Sequence, residues 1–191
     1  MAADYLVSSL QPLALDGPPP YTAERFLDMC RGQLPAADMS ALETLLAAET
    51  ASANAPSPDM GEASSRHRIL ARWRDLDAQL RNAVAAERAR LHGQDAARWR
   101  RPVEGCALFW TNRAAAAFQE KDPARRERLL DQVRWDAAGE LTPPAAPLST
   151  AAVFAYAIRL AVVLRRAARD MAAGNEVFNR LTAATKIEFK E

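Results

Sequence analysis

The stretch Asp122–Leu141, DPARRERLLDQVRWDAAGEL, decides the fold of this 191-residue chain. Asp122 followed by Pro123 puts an N-cap acceptor ahead of proline at the first helical position, where the missing N–H costs nothing. Gly139 supplies a C-terminal stop. Between them Leu129, Leu130, Val133, Ala137 and Leu141 fall on one face at helical spacing. Trp135 does not. At roughly 3.6 residues per turn it projects opposite that stripe. A helix apolar on two sides either packs on both or presents its Trp to a partner, and the spacing leaves both readings open.

On the C-terminal side, the connector LTPPAAPLST (141–150) ends at Ser149 or Thr150, either of which can cap a long helix. Val153, Tyr156, Leu160, Val163 and Leu164 give that helix an apolar face. Its most apolar part, Ala151 to Leu164, is interrupted by Arg159 and is shorter than the ~20 residues a bilayer requires, so a core helix is expected. Gly174-Asn175 breaks it, Val177, Phe178 and Leu181 suggest a last short helix, and the tail KIEFKE reads as loose.

Toward the N-terminus, Gly105 precedes a helix with Leu108, Phe109, Trp110 and Phe118. A helix from Arg66 to Leu91 carries Ile69, Trp73, Leu76, Leu80, Val84 and Leu91 in a stripe and ends at Gly93; Asp95 to Arg101 allows one more turn before Pro102. Residues 50–65, TASANAPSPDMGEASS, read as a flexible linker or loop between an N-terminal lobe (1–49) and a main helical lobe (66–191) of a single helical domain. Within the first lobe, Ser40 and Glu43 form a capping-box pattern ahead of Leu42, Leu45 and Leu46. Thr22 caps a helix carrying Phe26, Leu27 and Cys30 that stops at Gly32, and the proline-rich run at 16–20 forms a rigid extended turn. DYLVSSL (4–10) suits a short extended segment as well as a short helix. β-branched and aromatic residues are sparse throughout, so the expected fold is all-α, an irregular bundle of about six to seven helices.

Net charge is +1 but uneven: residues 1–65 carry two basic and nine acidic side chains, residues 66–101 ten and four. The two regions either complement each other or leave the middle helix as a solvated basic face. The near-neutral total opposes a dedicated phosphate-binding surface. Two distant cysteines, Cys30 and Cys106, suggest no disulfide framework and fit a reducing compartment. MAADYLVSSL has neither the basic start nor the apolar run of a secretory leader.

Signals for chemistry are weak. No glycine sits in GxGxxG or GxxxxGK[ST], so a phosphate cradle is not expected. His67 and His92 fall near opposite ends of one helix, about 37 Å apart, and cannot share a metal there; each reads as a surface residue. No cofactor, metal site or catalytic group is expected. Arg81 and Asn82 flank the stripe of the middle helix, where polar heads either reach water or bridge to another helix or partner.

Several stretches together resemble a known family: YLVSSL (5–10), Pro19-Pro20 with Phe26-Leu27 and Cys30, Trp73 with LRNA (80–83), RERLLDQVRWD (126–136) and AYAIRL (155–160). They are similar to an uncharacterised bacterial family encoded beside V/A-type rotary ATPase genes, with LLDQVRWD the most specific block. That family is distantly similar to the C-type component of the rotary ATPase (d-type in eukaryotes), an all-helical, funnel-like central-stalk protein without a catalytic site. The C-type protein is longer, with three similar helical units, where this chain has room for one or two. The resemblance implies a non-enzymatic coupling subunit or assembly accessory, cytoplasmic and peripheral to the inner membrane through the V-type ATPase complex. Its partners would be central-stalk subunits and the ring embedded in the membrane, with no nucleic acid and no direct membrane insertion. Arg81, Asn82, Arg134 and Trp135 would contact those partners. The alternative is a free-standing helical binding module, with nucleic acid bound through the basic 66–101 helix.

Overall fold

The computed structural model describes residues 2–50 and 67–169. They form seven α-helices and no strand. These are α1 (Ala2–Ser9), α2 (Ala23–Cys30), α3 (Ala36–Thr50), α4 (Arg68–Leu91), α5 (Leu108–Ala116), α6 (Pro123–Gly139) and α7 (Thr150–Ala168). Short 3-10 turns occur at Ala96–Trp99 and Ala117–Gln119. The expected linker at 50–65 beyond Thr50, the last short helix and the tail lie outside the described residues.

The most extensively buried helix, α7, packs against α1, α3 and α6. Val153, Phe154, Ile158, Leu160 and Ala161 are all buried. Helices from both sides of residues 51–66 share one core, in which Phe26, Leu42, Leu45 and Leu46 join Trp73, Leu80, Trp110 and Val133. Phe26 stacks on Tyr156 at 5.4 Å between centroids, and the Tyr156 hydroxyl donates to the Gln11 carbonyl at 2.8 Å.

Several local expectations change in the folded chain. Residues 4–9 are helical, and Leu6 inserts into the core. Helix α3 starts at Ala36, after Pro35, so Ser40 and Glu43 lie inside it and form no capping box. Asp38 in its first turn complements the exposed N–H groups instead. His67 is not a surface histidine: it caps α4, with Nδ1 accepting from the Leu70 N–H at 3.3 Å. That leaves Nε2–H to donate to Asp38 at 3.0 Å while the ring stacks on Phe154. His92 is exposed, as expected.

Gly139 ends α6 without adopting the left-handed conformation seen at Gly32 and Gly93. Its reason is space: a Cβ there would sit 2.7 Å from Nη2 of Arg159. The apolar stripe of α6 is also narrower than its spacing suggests, because Leu129 is 40% exposed while Asp131 is buried. Asp122 does cap the helix, accepting from the Ala124 N–H at 2.9 Å.

Candidate functional site

The described core contains three buried carboxylates, Glu49, Asp77 and Asp131, one each on α3, α4 and α6. Helices pack Glu49 beside Leu45 and Leu46, and place Asp77 four residues after Trp73 and three before Leu80, on the buried stripe. A buried carboxylate must be compensated, and arginines do so here. Arg134 reaches from α6 to both Glu49, at 2.6 Å, and Asp77. Its guanidinium also lies 5.5 Å from the Trp73 ring centre, and the Trp73 indole donates to Glu49 at 2.9 Å. Asp77 accepts in addition from Arg81 at 2.7 Å.

The pattern continues into α7. Arg165 approaches Glu49 at 4.0 Å and Asp131 at 3.2 Å. Arg166 pairs with Asp131 at 3.5 Å and with Asp16, in the α1–α2 loop, at 2.7 Å. Asp16 in turn holds Arg128. Charges therefore alternate without a break from Arg81 through Asp77, Arg134, Glu49, Arg165, Asp131, Arg166 and Asp16 to Arg128. Burial pushes the Asp77 carboxyl up, but Arg134 and then Arg81 outweigh it and hold it below the ordinary carboxylate range. Burial also opposes the charge on Arg134, and Asp77 and Glu49 raise its pKa beyond the ordinary range. Arg165, desolvated and beside Arg134, is held below its usual value. The Nε atoms of Arg134 and Arg165 are buried without a hydrogen-bond partner.

This ladder forms one side of a cavity of about 730 Å³. Leu80, Val84 and Val133 line its apolar wall, and Arg88, Trp99 and Arg101 stand further along. Among the described residues no group of three or more His, Cys, Asp or Glu side chains is placed to hold a metal ion. No described helix is long and apolar enough to cross a membrane.

Of the four residues singled out by sequence, Arg81 and Arg134 meet at Asp77, whereas Asn82 and Trp135 are engaged elsewhere. Arg134 is turned inward, at the centre of the ladder. Arg81 is half exposed and caps one end of it. Asn82 is engaged internally, donating to the Arg101 carbonyl at 2.9 Å and accepting from the Arg101 N–H at 2.8 Å. Trp135 faces the other side of α6, half-buried, with the Arg159 guanidinium 5.2 Å from its ring centre. Arg159 Nε also donates to the Trp135 carbonyl at 3.0 Å. The ring borders a small cavity of about 190 Å³ shared with Val7, Leu10, Leu13 and Tyr156. Trp135 thus packs beside the N-terminal segment. Sequence reasoning missed Glu49, Asp77, Asp131 and Arg165. The available signal was an acid on an apolar stripe, clearest at Asp77.

The fold and the ladder define a helical scaffold with an internal ion network. Residues 109–189 match a family described as Protein of unknown function (DUF2764), a match that spans α5 to α7 and contains the block 126–136. No curated protein and no solved structure matches the chain.

Proposed function

We propose that this chain is a non-catalytic subunit or accessory protein of a bacterial V/A-type ATPase, acting in the central stalk in the manner of the C-type component. The carrying observation is that the most family-like stretch, RERLLDQVRWD (126–136), supplies Arg128, Asp131 and Arg134 to the ladder. The resemblance and the internal frame thus meet in the same side chains. A coupling piece has to transmit force between partners without changing shape, and it needs no chemistry of its own. Ion pairs joining α3, α4, α6 and α7 below the surface suit that task, because geometry-specific buried pairs favour one arrangement of the helices.

Its partners would be the other central-stalk subunits and the membrane ring, which would keep it at the cytoplasmic face of the inner membrane. The test is co-purification. A tagged chain, extracted in mild detergent and cross-linked, should bring down other ATPase subunits; a chain that recovers none of them would remove the proposal. The alternative is nucleic-acid binding through the 66–101 region, where part of the basic charge is taken up internally. Arg74, Arg81, Arg88 and Arg90 are each ion-paired to a carboxylate. Salt-dependent retention on DNA or RNA, lost when Arg72, Arg74 and Arg81 become Ala, would favour it.

A further inference from the structure

The connector between α4 and α5 is anchored from beneath and bare on top. Asn82 bonds both backbone groups of Arg101. One turn away on α4, Gln79 donates to the Glu104 carbonyl at 3.0 Å and accepts from the Ala107 N–H. Residues 101–107 are therefore held along one flank of α4, and the two ends of this stretch carry large apolar side chains into solvent. Trp99 is 44% exposed at one end, and Leu108 and Phe109 are 62% and 64% exposed at the other. Arg98, Arg100 and Arg101 are exposed beside Trp99 and have no carboxylate partner among the described residues. Arg98 lies 5.8 Å from the Trp99 ring centre. The Arg113 guanidinium covers the other cluster, 5.8 Å from Phe109 and 5.2 Å from Trp110.

In the ladder the arginines are consumed by carboxylates. Here three have no carboxylate partner among the described residues, and they flank an aromatic ring within four positions. An exposed indole beside unneutralised cations, with Leu108 and Phe109 exposed at the far end of the same connector, fits a boundary that is anionic outside and apolar just beneath. Indole rings and guanidinium groups are both stable at that depth. Nucleic acid would use the arginines and could stack on Trp99, but it offers nothing to an exposed leucine.

We infer that the 98–109 flank of α4 docks on the anionic surface of a lipid bilayer, with Arg98, Arg100 and Arg101 at the headgroups and Trp99, Leu108 and Phe109 entering the interface. The contact is peripheral and requires no spanning helix. It stands on side-chain exposure and charge alone, independent of the ATPase reading.

The experiment uses the purified full chain and vesicles, with no other protein, so its outcome is separate from that of the pull-down. The chain should float with vesicles of mixed phosphatidylcholine and phosphatidylglycerol and remain behind with phosphatidylcholine alone. Joint Arg98→Ala, Arg100→Ala and Arg101→Ala should weaken binding by about a hundredfold. Trp99→Ala, Leu108→Ala and Phe109→Ala together should also release the chain, at unchanged arginine content. All six side chains are exposed, and matching circular dichroism with an unchanged melting temperature would show that the variants fold. Failure to float with the anionic vesicles would overturn the proposal, as would binding that both variants retain. Tighter binding to single-stranded RNA than to vesicles, insensitive to Leu108→Ala and Phe109→Ala, would replace the bilayer with nucleic acid.

Discussion

Arg134 connects two buried carboxylates whose other cationic partners are the half-exposed Arg81 and, at 4.0 Å, Arg165. Arg134→Ala would leave Asp77 with Arg81 alone and Glu49 with Trp73 and the more distant Arg165, so it should destabilise the chain by about 3 kcal/mol, the usual scale for breaking a buried pair from one side. Arg134→Lys keeps the charge but loses the fork that spans both acids, and should fall between. Arg81→Ala removes a half-exposed partner and should cost under about 1 kcal/mol. Urea denaturation of the three variants checks this order, and equal losses at Arg81 and Arg134 would contradict it. The same network sets an acid limit. Asp77 is held below the ordinary carboxylate range in the folded chain, so its charged form favours folding. That contribution is complete above the ordinary carboxylate value and is lost as pH falls through the lower folded value. Asp77→Asn should therefore be less stable near neutrality and show a shallower fall in urea midpoint on acidification. Parallel pH curves for the two proteins would exclude Asp77 as the source.

At the scale of the element, α6 shows how much of a helix its own residues dictate. Its start does follow from Asp122-Pro123, because capping is a local matter of one acceptor and one missing donor. Its end is set by a neighbour. Gly139 leaves room for Arg159, which binds the Trp135 carbonyl and covers its ring. Gly139→Ala gains up to about 1 kcal/mol of helix propensity but places a methyl group against the flexible end of Arg159. The expected result is stability within about 1 kcal/mol of the parent, with an altered near-ultraviolet circular dichroism signal as Arg159 leaves Trp135. A loss of several kcal/mol would mean that Arg159 cannot yield. The same neighbourhood explains why Trp135, opposite the main stripe, is half-buried: residues 7–13 and Tyr156 lie beside it.

Across the whole molecule, the two cysteines report on opening. Cys30 is in the core, its thiol pushed up to about 12 by burial, whereas Cys106 is exposed in the connector. A thiol reagent at mildly alkaline pH should label Cys106 at once and Cys30 only at the rate of core opening. Cys30 labelling should then accelerate in Arg134→Ala, because the network and the core share α3, α4 and α6. Rapid labelling of both thiols in the native protein would show that α2 does not seal the core.

What the chain's own pattern determined was the class and the positions of most helices. Alanine-rich, strand-poor segments with apolar residues three and four apart can bury their hydrophobic faces only as helices, wherever they finally pack. Thr22, Asp122, Gly32 and Gly93 mark boundaries through local bonds and backbone freedom, and these survive folding. Tertiary structure decided the rest. Leu129 lies on an apolar stripe yet faces solvent, while Asp131, two residues on, is buried, because Arg165 and Arg166 arrive from α7 to neutralise it. The meeting of Glu49, Asp77 and Arg134 joins residues as much as 85 positions apart. Helical periodicity reports which faces are apolar; which charges meet between them depends on how the helices cross.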